Sequence, residues 1–262
     1  NDISSGLKKR GREGYRELSD RGDLFLPVSE YFRKRLLTLG FPKSKVHVLR
    51  SGIQLADYSQ TYSRGRPNEG FQIVTVGRLN RKKGIDYCLK GFALFVSTAP
   101  ADSAAASAML SVIGDGPERA PLEHLAESLD VAKHVTFLGS MKHSSAMSTL
   151  SASHVFLNHS VVGPNGDEEG IPNVLKEAYL CGLPVVASRH SGIGELVAHM
   201  SSGLLVDEGD TRGIAAALHY MYRNPDRRHA FAQAGEARVR SDYDLNYTTH
   251  QLSSLYASLF TS

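Results

Sequence analysis

Only two of the 262 residues are cysteine, Cys88 and Cys181. Two thiols cannot build a disulfide framework, and their apolar neighbours suit buried thiols in a reducing compartment. No apolar run approaches the roughly 18–20 residues that a membrane-spanning helix requires, and the first residues lack a signal-peptide pattern. Net charge is also scarce: 30 Lys/Arg against 27 Asp/Glu leave +3, too little to mark a nucleic-acid binder. No spacing among the eleven histidines and two cysteines resembles a metal site. The expectation is a soluble cytoplasmic protein, and 41% hydrophobic with 22% charged residues is ordinary globular composition.

What charge there is lies unevenly. Residues 1–50 hold 12 Lys/Arg against 6 Asp/Glu, so the rest of the chain is slightly acidic. Two readings stand: a solvated helical surface, or a face that meets an anionic partner such as the headgroup layer of a membrane.

Short apolar runs alternate with amphipathic helical patterns, the signature of an α/β fold with a parallel sheet. Strands are expected at Gln72–Val76, Met109–Ile113, Val135–Leu138, Val155–Leu157, Pro184–Ala187 and Gly203–Val206. Helices are expected at Ile85–Val96, Pro117–Leu129, Asn173–Leu180, Gly192–Ala198 and Thr211–Tyr222. Together they make a complete, Rossmann-like doubly wound domain over 71–225, with two C-terminal helices over 226–262. Residues 61–70 are polar, with Gly and Pro and no apolar period, and read as a linker. Residues 1–60 offer only two strand-like runs, Leu24–Val28 and Val46–Leu49, with a helix starting at Ser29-Glu30. That is too little for a sheet of its own, so this part reads as the tail end of a second, mostly missing domain.

In a doubly wound sheet ligands bind at the carboxyl ends of the strands. Three loops there carry polar chemistry. The first, Gly77 to Gly84, places Arg78 and Lys83 at a strand-to-helix turn, where two cations beside free N–H groups suit a diphosphate. The second contains Gly114 and Gly116, which permit a tight turn and close approach by a ligand. The third runs Glu169-Gly170-Ile171-Pro172-Asn173-Val174-Leu175-Lys176-Glu177. Glu169 precedes the helix start and Glu177 lies about one turn inside it, so backbone amides can meet phosphate while two carboxylates accept from sugar hydroxyls.

The string E-G-I-P-N-V-L-K-E-A…C-G-L-P-V-V-A resembles the retaining glycosyltransferases of family 4, which have the GT-B fold. V-G-R-L-N-R-K-K-G and V-I-G-D-G-P match the same family in the same order, and L-F-L-P-V-S-E-Y-F-R-K-R-L and S-G-I-Q-L resemble its interdomain region. The D-x-E-E-G-I-P variant is most similar to the bacterial exopolysaccharide, colanic-acid-type transferases. The resemblance covers residues 20–225 and implies transfer of a sugar, with retention, from a nucleoside-diphosphate sugar to a saccharide or lipid-linked acceptor, without metal or other cofactor. It implies that Arg78 and Lys83 stabilise the leaving diphosphate and that Glu169 holds the donor sugar, assisted by amides at Gly170–Pro172. Glu177 would bind the ribose, amides at Asn173, Val174 and Leu175 the phosphate, and Gly77, Gly114 and Gly116 the nucleotide, with Met141 and its neighbours near the base. Ser191 stands where the family often has glycine. The family's acceptor-side domain lies upstream, so this chain reads as the donor-binding half and as incomplete for turnover.

Other signals point elsewhere. Asp242-Tyr243-Asp244 has the D-x-D form of metal-dependent transferases but sits between terminal helices, and reads as a solvated helix break. His159, at a strand end, reads as structural, and Asp167-Glu168 as a solvated acidic loop. A nicotinamide dehydrogenase is excluded because Gly77-Arg78-Leu79 breaks the required glycine pattern. Two alternatives stay open: a nucleotide-sugar-binding subunit that needs a partner chain, and a sugar-nucleotide epimerase of similar build.

Overall fold

The computed structural model describes residues 13–58, 70–100 and 103–260. The linker expected at 61–70 lies outside the described residues, Gly70 apart. Six strands form one parallel sheet: β1 Gln72–Val76, β2 Met109–Ile113, β3 Val135–Gly139, β4 Val155–Asn158, β5 Val185–Ser188 and β6 Gly203–Val206. Their spatial order is β3-β2-β1-β4-β5-β6. Strands β4 and β5 are buried at every position, as unbroken apolar runs flanked by helices on both faces should be.

Two apolar clusters cover the two faces of the sheet. One gathers Phe92, Leu122 and Ile214 from helices Ile85–Ser97, Arg119–Ser128 and Thr211–Arg223. The other gathers Met147, Leu175 and Ile193 from helices His143–Ser151, Asn173–Leu180 and Ile193–Leu196. The His143 helix was not expected: its Ser-rich sequence HSSAMSTLS carries only a weak apolar stripe, and burial of Ala146, Met147 and Leu150 decides its state. The expected Gly192–Ala198 helix shortens to a single turn. Helix Pro225–Asp242 belongs to the same core, because Gly235 lets it press against the ring of Tyr179 while Phe231 and Val239 enter the two clusters.

The first part of the chain departs from expectation. Leu24–Val28 and Val46–Leu49 are not strands; they meet in one bridge, Phe25 with Val46, extended by N–H bonds from His47 to Phe25 (3.0 Å) and from Leu49 to Pro27 (3.0 Å). Pro27 has no N–H to return, which limits this ladder. Ser29 does start a helix: its hydroxyl accepts the Phe32 N–H, and the helix runs Glu30–Thr38. The chain end returns to this region, where Ile53 pairs with Asp244 and helix Leu245–Ser258 follows.

Candidate active site

With this strand order, the connections from β1 and β4 leave in opposite directions and open a crevice at their carboxyl ends. The Gly77–Gly84 loop follows β1, and residues 159–172 follow β4. Gly77 leaves room for the stem of Lys83, whose Cδ and Cε would lie 3.4 Å from a Cβ placed there. Gly84 adopts φ +56°, and any side chain on it would strike the carbonyl oxygen of His159. Glycine is therefore required where the β1 loop crosses the end of β4.

Gly114 and Gly116 are required by the chain itself. A Cβ on Gly114 would strike the carbonyl of Gly77, and one on Gly116 the carbonyl of Leu79. The same crossing is tied by Gly77 N–H to Ile113 O (2.9 Å) and Leu79 N–H to Asp115 O (2.9 Å). The close approach these glycines allow is thus by the chain's own β1 loop, which they hold in place.

Glu169 reaches across the crevice to that loop. Its carboxylate lies 3.0 Å from Lys83 Nζ and 3.1 Å from Lys82 Nζ, and Lys82 also meets Asp167 at 2.8 Å. Burial alone would raise the Glu169 carboxyl, but Lys83 and Lys82 outweigh it and hold the group below the usual carboxylate range. Lys82 is likewise pushed up by Asp167 and Glu169 against its own burial. Arg78 is exposed and makes no ion pair among the described residues.

Residues Glu169 to Asn173 line a cavity of about 290 Å³ together with Val28, Ser51, Lys176 and Tyr243. Helix Asn173–Leu180 begins there with no side-chain cap, leaving its first-turn amides to a ligand or water. Two expected donors fall away. Pro172 has no N–H, and its carbonyl instead accepts the Leu175 N–H at 3.1 Å. The donors at this turn are the amides of Gly170, Ile171, Asn173 and Val174, while the side chains of Ile171 and Leu175 are core. Glu177 lies 3.4 Å from both the Tyr58 hydroxyl and His143 Nε2. Burial, reinforced by Glu177, pushes the Tyr58 hydroxyl well above its usual range. Met141 packs on the same apolar cluster as Val174.

Several residues in this region were not singled out from sequence. Lys176 is fully buried, its ammonium bonded to Ser51 O (2.5 Å) and Asn173 Oδ1 (2.8 Å), and burial pushes it down to about 8. Its one visible signal was a cation on the apolar face of a helix. Tyr243 is fully buried with Lys176 and Arg50 near its ring faces, so the D-x-D segment is not a solvated break remote from the strand ends. Its acids are engaged structurally: Asp242 lies 3.7 Å from Arg238, and Asp244 accepts the Asn246 N–H. Among the described residues no group of three or more His, Cys, Asp or Glu could hold a metal.

The acidic loop is not solvated either. Glu168 is buried against Arg35 at 2.6 Å, tying the loop to helix Glu30–Thr38. On the other side of that helix start, Glu195 accepts the N–H groups of Glu30 and Tyr31, each at 2.9 Å. His159 is structural as expected: it is fully buried, its Nε2 accepts the Gly209 N–H (2.9 Å), and burial lowers it to about 4. His190 is almost fully buried, with Nδ1 2.6 Å from Glu208 and Nε2 3.0 Å from the Glu169 amide nitrogen. Ser191 adopts φ +48°, which explains why glycine suits this position.

A family model described as glycosyl transferases group 1 matches residues 60–238. The chain belongs to that family. Among its relatives are WcaL of Escherichia coli (strain K12), named for colanic acid biosynthesis, at 32% identity over 94% of this chain, and the amylovoran biosynthesis glycosyltransferase AmsK of Erwinia amylovora, at 29% over 95%. The chain spans 59% of the length of each. Among solved structures, Anabaena Alr3699/HepE in complex with UDP superposes with a TM-score of 0.81 at 19% identity, over 98% of this chain and 68% of that one. Sucrose-phosphate synthase from Thermosynechococcus elongatus gives 0.77 at 22%, over 97% and 62%. The fold is that of the GT-B glycosyltransferases, as the sequence implied. Among the described residues no helix is long and apolar enough to cross a membrane.

Proposed function

We propose that this chain is the donor-binding half of a retaining glycosyltransferase that uses a nucleoside-diphosphate sugar in the biosynthesis of an exopolysaccharide or related glycan. Residues 1–60 would end the acceptor-side domain, and the acceptor would be a saccharide, free or lipid-linked. The observation that carries the reading is the Lys83–Glu169 pair at the β1/β4 crevice, beside the uncapped start of helix Asn173–Leu180. The relatives named for polysaccharide biosynthesis and the UDP-bound structural neighbour support it.

In this reading the diphosphate displaces the Glu169 carboxylate from Lys83, and Arg78 and Lys83 carry the negative charge that grows on the leaving phosphate. Glu169, released, accepts hydrogen bonds from the donor sugar, and the amides of Gly170 and Ile171 lie beside it. Glu177, which meets a hydroxyl and an imidazole at 3.4 Å, accepts from the ribose. The bond from the sugar's anomeric carbon to phosphate breaks as the acceptor oxygen attacks from the same face, and the departing phosphate oxygen takes the acceptor's proton. Peripheral attachment to the inner face of a membrane through the basic first fifty residues belongs to the same reading.

Calorimetric titration with UDP, GDP and ADP, with NAD as control, tests the donor site. One diphosphate should bind, and Arg78→Ala or Glu177→Ala should weaken it. Equal binding of NAD, or indifference to both substitutions, would place the ligand elsewhere.

A further inference from the structure

The loop that carries Glu169 is held at residues 167 and 168 by Lys82, Gly163 and Arg35, but those contacts do not reach the Glu169 main chain. It lies between β4 and a helix, has Gly170 and Pro172 at its end, and its carboxylate must leave Lys83 when a diphosphate arrives. Something other than the lysines has to keep the main chain in place. His190, just beyond β5, makes that contact. The Glu169 amide can only donate, so the ring nitrogen 3.0 Å away, Nε2, must be the unprotonated one. The proton therefore sits on Nδ1 and is donated to Glu208 at 2.6 Å. The other Glu208 oxygen accepts the Val162 N–H at 3.1 Å. Its neighbour Val161 donates to the Lys82 carbonyl at 2.9 Å, and Gly163 to the Asp167 carbonyl at 2.8 Å. One carboxylate thus anchors both sides of the crevice, the Glu169 turn through the imidazole and the lysine loop through residues 161–163.

We infer that His190, fixed in one neutral tautomer by Glu208, is a positioning residue that holds the main chain of Glu169 and so aims its carboxylate at the donor sugar. The inference rests on the donor-site reading above. His190 touches neither the nucleotide site at Glu177 nor the lysines, so its loss should act on sugar recognition and spare the nucleotide. Binding reports this without any acceptor: each nucleoside diphosphate is titrated beside its sugar conjugate, UDP with UDP-glucose, GDP with GDP-mannose, ADP with ADP-glucose.

For the pair that binds, the Kd of the sugar nucleotide relative to that of the diphosphate should rise about tenfold in His190→Ala, the size expected for losing a hydrogen bond to a charged group. The diphosphate Kd itself should change less than about twofold, within the scatter of remote surface changes. His190→Phe keeps the buried volume but offers no acceptor and should behave like the alanine variant. His190→Gln restores an acceptor near Nε2 and should recover most of the ratio. Should the first two variants unfold, His190→Asn, whose shorter amide can still meet Glu208 but cannot reach the Glu169 N–H, carries the same expectation for the ratio. An unchanged ratio in folded His190→Ala and His190→Phe, or equal weakening of diphosphate and conjugate, would overturn the positioning role. Failure of the unsubstituted protein to bind any diphosphate would overturn the donor-site reading and the inference with it.

Discussion

Glu169 and Glu177 are the same residue type, eight positions apart, on either side of one helix start, yet their surroundings have little in common. Glu169 is the centre of a charged lattice: two lysines on its carboxylate, Asp167 on one of them, and a histidine on its amide. Glu177 meets a tyrosine hydroxyl and a half-exposed imidazole at the longer distance of 3.4 Å. A carboxylate kept among cations is bound to its neighbours by charge and must exchange partners when an anion enters. One held only by longer contacts is ready to accept a hydroxyl without giving up a close partner. The motif spacing is common to both, and the difference between them comes from which loops cross above each.

The comparison breaks most sharply at Lys83. Lys83→Ala in the full-length protein should lower kcat by about 10²–10³, the scale of losing one donor to developing charge, because Lys82 is already shared with Asp167. Turnover within tenfold of the unsubstituted enzyme would remove the leaving-group role. Glu177→Ala should weaken the nucleoside diphosphate by about 10–100-fold, the size of hydrogen bonds to a charged acceptor, and leave the Lys83–Glu169 pair intact. Titration calorimetry of the two variants side by side separates the roles.

Acid sharpens the contrast further. The Glu169 carboxyl sits below its unfolded value of about 4.3, so its pairing stabilises the fold above that pH and is lost as pH falls through the lower folded value. The stability gap between the unsubstituted protein and Glu169→Gln, about 1–3 kcal/mol at neutral pH for a partly buried pair, should therefore close in acid. Denaturant titrations at pH 7, 5 and 3.5 read this directly, and a gap that stayed constant would show that the lysines contribute nothing there. The smallest effect belongs to Ser191, whose left-handed backbone costs roughly 1 kcal/mol. Ser191→Gly should raise stability by less than about that amount, since glycine gives part of it back in unfolded-state entropy. A lower melting temperature would mean that the serine hydroxyl has a partner worth more than the strain.

Most of the sheet was legible from residues alone, because each strand is a short, mostly apolar run bounded by turn residues, even though burial ranges from complete in β4 and β5 to partial in β3. The His143 helix was not, since Ser and Thr outnumber its apolar residues and only its neighbours settle its state. At the site, Lys83 and Glu169 could be read from motifs on loops that follow strands. His190, Glu195, Glu208 and Lys176 could not. Each acts on a backbone group far away in the chain, Glu195 on residues 164 and 165 positions back, and no local pattern encodes a partner at that distance. Gly114 and Gly116 have a requirement that composition did not show, because a side chain on either would strike a carbonyl of the chain's own β1 loop.

The helix that begins at Glu30 takes its cap from Glu195, a residue outside its own segment, in addition to Ser29. A helix capped from within turns freely with whatever carries it. One capped by a carboxylate from a distant part of the chain is keyed to that part like a shaft in a bearing, and its direction cannot change without exposing two bonded amides and a carboxylate. The turn that carries Glu169 is clasped to the same helix through Glu168 and Arg35, so helix start and turn are keyed to each other from two sides.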